Sequence, residues 1–189
     1  MRKVIYQVVV SLNGYYKGRH GAIDWHRVDK EYDAYAAELL DAADTIILGR
    51  VTYVLMSAYW PTDAGKRGNP VIAERMNRMS KIVFSRTLNN VEWEHARLAT
   101  ADPAQELSAL KAQPGRSIVV LGSGQLAAEL ADLGLIDECQ VMINPVALGE
   151  GTPIFHRLSN RLELHLASVR SFRSGNVMLC YEPLRSMPK

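Results

Sequence analysis

Cysteine is nearly absent. The chain has two, Cys139 and Cys180, far apart and each inside an apolar stretch, so no disulfide framework is written into it. Both read as buried free thiols. The five histidines, His20, His26, His95, His156 and His165, show no H-x-x-x-H spacing, and no C-x-x-C occurs; no metal site is expected. No apolar window approaches the length of a membrane span. The formal net charge is only +2 and no basic run exceeds a pair, which leaves no electrostatic footprint for nucleic acid. There is no G-x-S-x-G and no G-x-x-x-x-G-K, so an α/β-hydrolase elbow and a P-loop are excluded. The opening MRKVIYQVVV lacks a full apolar core and a small-residue cleavage site, and a cytoplasmic protein is expected.

What is present is ordinary globular material. The 189 residues are 48% hydrophobic and 22% charged, with no repeat, low-complexity tract or linker, which predicts one domain over residues 1–189. Strands are predicted at Lys3 to Val10, Thr45 to Leu48, Lys81 to Ser85, Ile118 to Leu121 and Cys139 to Asn144. Helices are predicted at Asp29 to Ala43, Val51 to Tyr59, Pro70 to about Met79, Asp102 to about Ala112, and Gln125 to Leu133. Pro70 suits a first helical position, and D-P-A-Q at Asp102 reads as a capping box. Thr62 to Asn69 and Tyr15 to Arg27 read as loops. Near the end, LELHLASVRSF and NVMLCYE flank Arg173-Ser174-Gly175 as an antiparallel hairpin. Alternating strands and helices predict an α/β fold: a mostly parallel sheet with helices on both faces, made mixed by that hairpin.

Three strand ends carry phosphate chemistry. In SIVVLGSGQLAAEL, Gly122, Gly124 and Ala127 follow an apolar strand with the spacing G-x-G-x-x-A. A Rossmann fingerprint would place an acidic residue at the end of the next strand. That strand ends in Asn144-Pro145, and Asp137 and Glu138 precede it, so the Rossmann label fails. The local physics survives: a glycine turn at a helix start presents N–H groups and a positive dipole end to an anion. IILGRVTY sets Gly49, Arg50 and Thr52 at a second such turn, where N–H groups, a guanidinium and a hydroxyl together suit a phosphate. IVFSRT places Ser85 and Arg86 at a third strand end, where an Arg suits a 2′-phosphate and so NADP over NAD.

SLNGY, ILGRVTY, VFSRTL, VVLGSGQL, LGLIDECQVMINPVALGEGTPIF and SFRSGNVMLCYEP occur in this order. The ordered set resembles the dihydrofolate-reductase-like proteins. It is most similar to the group that includes the C-terminal reductase domain of the bifunctional riboflavin biosynthesis enzyme, and it covers nearly the whole chain. The resemblance implies a three-layer α/β/α fold, NADPH as hydride donor, a small heterocyclic substrate and a homodimer. It implies that Gly49, Arg50 and Thr52, with Gly122, Ser123, Gly124, Gln125 and Leu126, hold the cofactor's phosphates. Ser85 and Arg86 would hold its adenosine side, with Val9 and Val10 near the nicotinamide. The chain departs from the riboflavin-type pattern at Asn13 and at Leu121, where acidic residues are usual. Dihydrofolate reduction, and NADP binding without turnover, are the competing readings.

Hydride transfer needs a proton source and exclusion of water. The resemblance implies one carboxylate on the first helix, and Asp33 matches; Asp24 and Glu31 are rivals. The loop Tyr15 to Trp25 reads as a lid over the substrate, with Gly18 and Gly21 as hinges and Trp25 as its apolar plug beside Asp24.

Overall fold

The central sheet follows from runs too apolar to face water on either side. The computed structural model describes residues 1–184; residues 185–189, the end of the expected domain, lie outside the described residues. β1 (Val4–Ser11), β3 (Ala43–Gly49), β4 (Ser80–Phe84), β6 (Ser117–Leu121) and β7 (Glu138–Asn144) form its body, with β2 (Tyr15–Gly18) and β5 (Ala96–Leu98) between them in sequence. β8 (Gly151–Pro153), β9 (Leu164–Ser171) and β10 (Val177–Pro183) complete the set. The main sheet has eight strands in the order β5-β4-β3-β6-β1-β7-β10-β9. β5 through β7 run parallel, while β10 pairs antiparallel with β7 and with β9. The fold is the mixed, mostly parallel α/β architecture expected, with the antiparallel hairpin at its end.

Helices cover both faces. α1 (Lys30–Asp41), α2 (Arg50–Ser57), α3 (Asp63–Gly68) and α4 (Pro70–Arg78) precede α5 (Pro103–Ala112) and α6 (Gly124–Asp132) in the chain. Leu39, Tyr53, Ile72 and Met76 pack with Ile46, Leu48 and Met142 into one core; Leu107, Leu126 and Leu130 pack with Val4, Tyr6 and Ile118 into the other. Odd residues of β1 face the first core and even residues the second, as the pleat requires. The layer of α5 and α6 does not reach the far side of the sheet. Val141 and Ile143 on β7 and Leu179 and Tyr181 on β10 are half-buried on this face, and beside them on β9 Leu166 is 44% exposed and Val169 58%.

Three local expectations change. The stretch from Thr62 is not an open loop: the Thr62 hydroxyl accepts from the Gly65 N–H at 3.2 Å and starts α3. The stretch from Tyr15 is not a free lid either, because β2 pairs antiparallel with β8. Gly18 is buried there, between the Leu148 side chain and the Trp25 indole. The two cysteines are free, but only Cys139 is buried; Cys180 is half-buried on the neighbouring strand. Cys139 pairs with Tyr181, one residue from Cys180, so the thiols project from opposite faces of the sheet and cannot bond. Lys81, the second residue of β4, is fully buried. Its ammonium donates to the Asn77, Met79 and Glu94 carbonyls at 3.0, 2.7 and 2.9 Å and lies 4.6 Å from the Trp93 ring centre. It thereby closes the C-terminus of α4, while burial draws its pKa down to about 8.

The segment entering α1 is clamped from below. The Arg27 N–H donates to Asn144 Oδ1 at 2.6 Å, and Asn176 Nδ2 donates to the Arg27 carbonyl at 2.8 Å. Both asparagines are fully buried. Asp29 then caps α1 by accepting from the Tyr32 N–H at 2.8 Å. His26, beside this clamp, is drawn by burial from 6.5 to about 4, against a small opposing effect of Asp24. Between those values the unfolded chain takes up a proton and the folded protein refuses it. Stability is therefore expected to fall as pH drops from 6.5 to 4, by up to about 3 kcal/mol. Denaturant unfolding across that range checks it, and His26→Leu should flatten the slope.

Candidate active site

All five parallel strands before β10 bar the short edge strand end at one edge of the sheet in the order β4, β3, β6, β1, β7. The three phosphate-competent turns therefore stand side by side: Ser85-Arg86 after β4, Gly49-Arg50 after β3, and Gly122 to Leu126 after β6. Four α-helices begin with a side-chain cap, from Asp29, Thr62, Asn69 and Asp102. α2 and α6, which leave the two glycine turns, begin with none. Their first N–H groups, without intrahelical acceptors, are left for an outside anion. This arrangement fits the diphosphate of a dinucleotide, and Arg50 stands exposed at the first position of α2.

The turns are also locked to each other. The Gly49 N–H donates to Ser123 Oγ at 2.7 Å. Ser123 in turn donates to Thr52 Oγ1 through its hydroxyl at 2.9 Å and its N–H at 3.1 Å. Thr52 and Ser123 thus hold the cradle together, and a phosphate would meet the helix N–H groups beyond them. Ser123 adopts the left-handed region at φ 51°, beside Gly122 at φ 54°. Gly124 is packed under a ring: a Cβ there would lie 2.9 Å from Tyr16 Cε1 and Cζ. Gln125 is exposed and Leu126 is buried in the second core. Removing the shared hydroxyl with Thr52→Val leaves two donors of Ser123 unpaired, an expected loss of about 1–2 kcal/mol in urea unfolding, with Thr52→Ser restoring most of it.

Ser85 is spent on its own loop, where its hydroxyl accepts from the Thr87 and Leu88 N–H groups at 3.1 and 2.9 Å. Arg86 beside it is exposed and in no ion pair among the described residues. Val9 packs on the first core, whereas Val10, 3% exposed, points into the second. Only the Val9 side chain faces the side of the sheet that packs against α1, α2 and α4.

That side holds a cavity of about 460 Å³ between α1, α2, α4 and the sheet. Leu39, Leu40, Met56, Trp60, Ile72 and Leu121 make its walls; Gln7, Tyr32, Asp33 and Asn69 bring polar atoms to it. Asp33 therefore faces the cavity, and burial raises its carboxyl above the usual range, partly offset by a hydrogen bond with Asn69. The rivals lie elsewhere. Glu31 accepts from the Arg173 N–H at 2.7 Å, and Asp24 is exposed. Trp25 donates its indole N–H to the Ala22 carbonyl at 3.1 Å and packs edge-on against His26, which fixes its own loop; neither it nor Asp24 lines the cavity.

Cavity and cradle share a wall. Gln7 pairs with Leu121 in the β1–β6 ladder, and the Gly122 N–H donates to the Gln7 carbonyl at 3.1 Å. Gln7, Asn69 and Trp60 escaped sequence reasoning. A single amide within VIYQVVV is the one signal for Gln7, Asn69 reads as a helix cap, and Trp60 as a helix stop.

Two uncapped helix starts beside a small apolar cavity make up the candidate site of this α/β domain. The chain belongs to the RibD C-terminal domain family, whose profile matches residues 2–178. It is 32% identical over 180 residues to the uncharacterized protein YyaP of Bacillus subtilis, covering 95% of this chain and 94% of that one. It is 29% identical over 160 residues to the riboflavin biosynthesis protein RibD of Corynebacterium ammoniagenes, covering 81% of this chain but 46% of that one. The fold matches a candidate riboflavin biosynthesis protein of Shewanella sp. PV-4 at a TM-score of 0.74, 21% identity and 97% and 99% coverage. It also matches a diaminohydroxyphosphoribosylaminopyrimidine deaminase/5-amino-6-(5-phosphoribosylamino)uracil reductase of Thermotoga maritima at a TM-score of 0.71 and 14% identity. That match covers 97% of this chain and 57% of the Thermotoga protein. Among the described residues no helix is long and apolar enough to cross a membrane, and no group of three or more His, Cys, Asp or Glu residues could hold a metal ion.

Proposed function

We propose that this protein is an NADPH-dependent reductase of the riboflavin type, delivering hydride to a small heterocycle seated in the Gln7–Asp33 cavity. The observation that carries this is the shared wall: the only two uncapped α-helix starts among the described residues stand against an apolar cavity holding one carboxyl group. The dinucleotide supplies the hydride. The chain's own residues bind its diphosphate on α2 and α6, exclude water with Leu39, Met56 and Trp60, and hold a proton at the Asp33 carboxyl. Arg86, exposed and unpaired at the third turn, is the partner for a 2′-phosphate. Because Asp33 lines the cavity, turnover is favoured over dinucleotide binding alone.

The test is a titration with NADPH and NADH, followed by NADPH oxidation in the presence of candidate heterocycles, dihydrofolate among them. Binding of NADPH with turnover of a pyrimidine or pterin supports the reading; failure of both dinucleotides to bind sinks it. Arg86→Ala is expected to weaken NADPH about tenfold and leave NADH unchanged. The partly exposed apolar face of β7, β10 and β9 is proposed as the surface on which two copies pair. Sedimentation should give a dimer, and a monomer at micromolar concentration would refute it. A reducing cytoplasmic setting suits Cys139 and Cys180, both free thiols.

A further inference from the structure

The cavity's own chemistry narrows its substrate, given the reductase reading above. Sixteen residues line it, and none of them is Lys, Arg or His; the one charged side chain is Asp33. A phosphate dianion placed there would lose part of its water, meet no cation and lie near a carboxyl group. Each of these is unfavourable at low dielectric. The cradle's N–H groups lie on the other side of the Gln7–Leu121 wall, where the dinucleotide's own phosphates would occupy them.

Gln7 adds a positive requirement. It is 7% exposed, in the middle of β1, and its Nε2 has no hydrogen-bond partner. An amide N–H buried without a partner costs about 1–3 kcal/mol unless something accepts from it. Its neighbour on the cavity surface is Tyr32, whose hydroxyl oxygen lies within reach of that amide and can take one of its two N–H groups, leaving the other without an acceptor. The free donor and the Asp33 carboxyl, with its Asn69 partner, lie in one cavity whose remaining lining is predominantly aliphatic and aromatic. That is a seat for a flat ring presenting a carbonyl to Gln7 and an N–H to Asp33.

We propose that the cavity selects an uncharged, unphosphorylated planar heterocycle, and that Gln7 reads its ring carbonyl. The name of the Thermotoga relative carries a phosphoribosyl group; this cavity has no counterpart for that phosphate.

Calorimetric titration of the purified protein without dinucleotide tests it with a matched pair: 5-amino-6-(5-phosphoribosylamino)uracil and the same molecule with its phosphate removed. The dephosphorylated compound is expected to bind at least about tenfold more tightly. Equal or tighter binding of the phosphorylated one overturns the proposal, as does failure of both the dephosphorylated compound and lumazine to bind at millimolar concentration. Gln7 is tested by the ratio of affinities for lumazine, which has two ring carbonyls, and 2,4-diaminopteridine, which has amino groups in their place. Gln7→Glu turns the donor into an acceptor and should shift this ratio about tenfold or more toward the diamine. Gln7→Leu keeps β1 apolar should the charge unfold the protein, and it should weaken lumazine alone. An unchanged ratio in a folded variant refutes the role of Gln7, because a merely structural effect would weaken both ligands alike. NADPH binding is measured separately, so its failure strikes the reductase reading and leaves the ligand preference to be judged by itself.

Discussion

Asp33→Asn is expected to lower turnover by about 10²- to 10⁴-fold while NADPH still binds with its original affinity. Hydride arriving at a C=N or C=O carbon leaves an electron pair on the heteroatom, and a proton must meet it. Asp33 is the one acidic side chain lining the cavity, and burial holds its carboxyl above the ordinary range, so it keeps its proton nearer neutrality than a surface carboxyl would. Asparagine preserves shape and the Asn69 contact but has no acidic proton to give. The wild-type rate should fall as pH rises through the Asp33 pKa, and that limb should vanish in the variant. Unchanged turnover would show that water or another group supplies the proton.

Gly65→Ala should cost about 1–3 kcal/mol in unfolding free energy and distort the cavity wall. A methyl group at Gly65 would drive into the Tyr59 carbonyl and lie 3.1 Å from Trp60 Cα. These contacts are backbone, so no side-chain rotation relieves them. Tyr59 and Trp60 form one cavity wall, and α3 must retreat from them or push them inward. Thermal unfolding reads the stability loss, and ligand titration reads the loss of fit. A fall in melting temperature with unchanged ligand affinity would mean that α3 moves and the wall stays.

The strands and most helices were legible because their signals are local. SIVVL is too apolar to be anything but buried, Pro70 and Asp102 mark helix starts, and the terminal hairpin carries its own turn. What was hidden depends on distant partners. β2 and β8 are short pieces that form only against each other, more than 130 residues apart. α3 is DAGKRG, whose composition reads as loop, and a hydroxyl cap and a close backbone contact make it helical. Nothing in the strand predicted from Lys81 marks its charge as buried, since the three carbonyls that hold it come from the end of α4 and the segment before β5.

The site divides the same way. Glycines at Gly122 and Gly124 announce their turn, one by a positive φ and the other by the ring of Tyr16 above it. The mutual satisfaction of Thr52 and Ser123 spans 71 positions and leaves no mark on either segment. Asp33 could be placed on a helix from its neighbours, but only the packing of α1 against α4 sets it at a cavity. Gln7 is the sharpest loss: within an apolar strand, a lone amide looks like a tolerated blemish until the space it faces is known.

The hydroxyl bridge between the two helix starts has a thermodynamic corollary. Its donors and acceptors are satisfied before any ligand arrives, so the N–H groups beyond it are already aimed. Capturing an anion there requires no ordering of a loop and buries little new apolar surface. The heat-capacity change on dinucleotide binding should accordingly be small, and the association should look like docking onto a rigid ledge rather than folding around a guest.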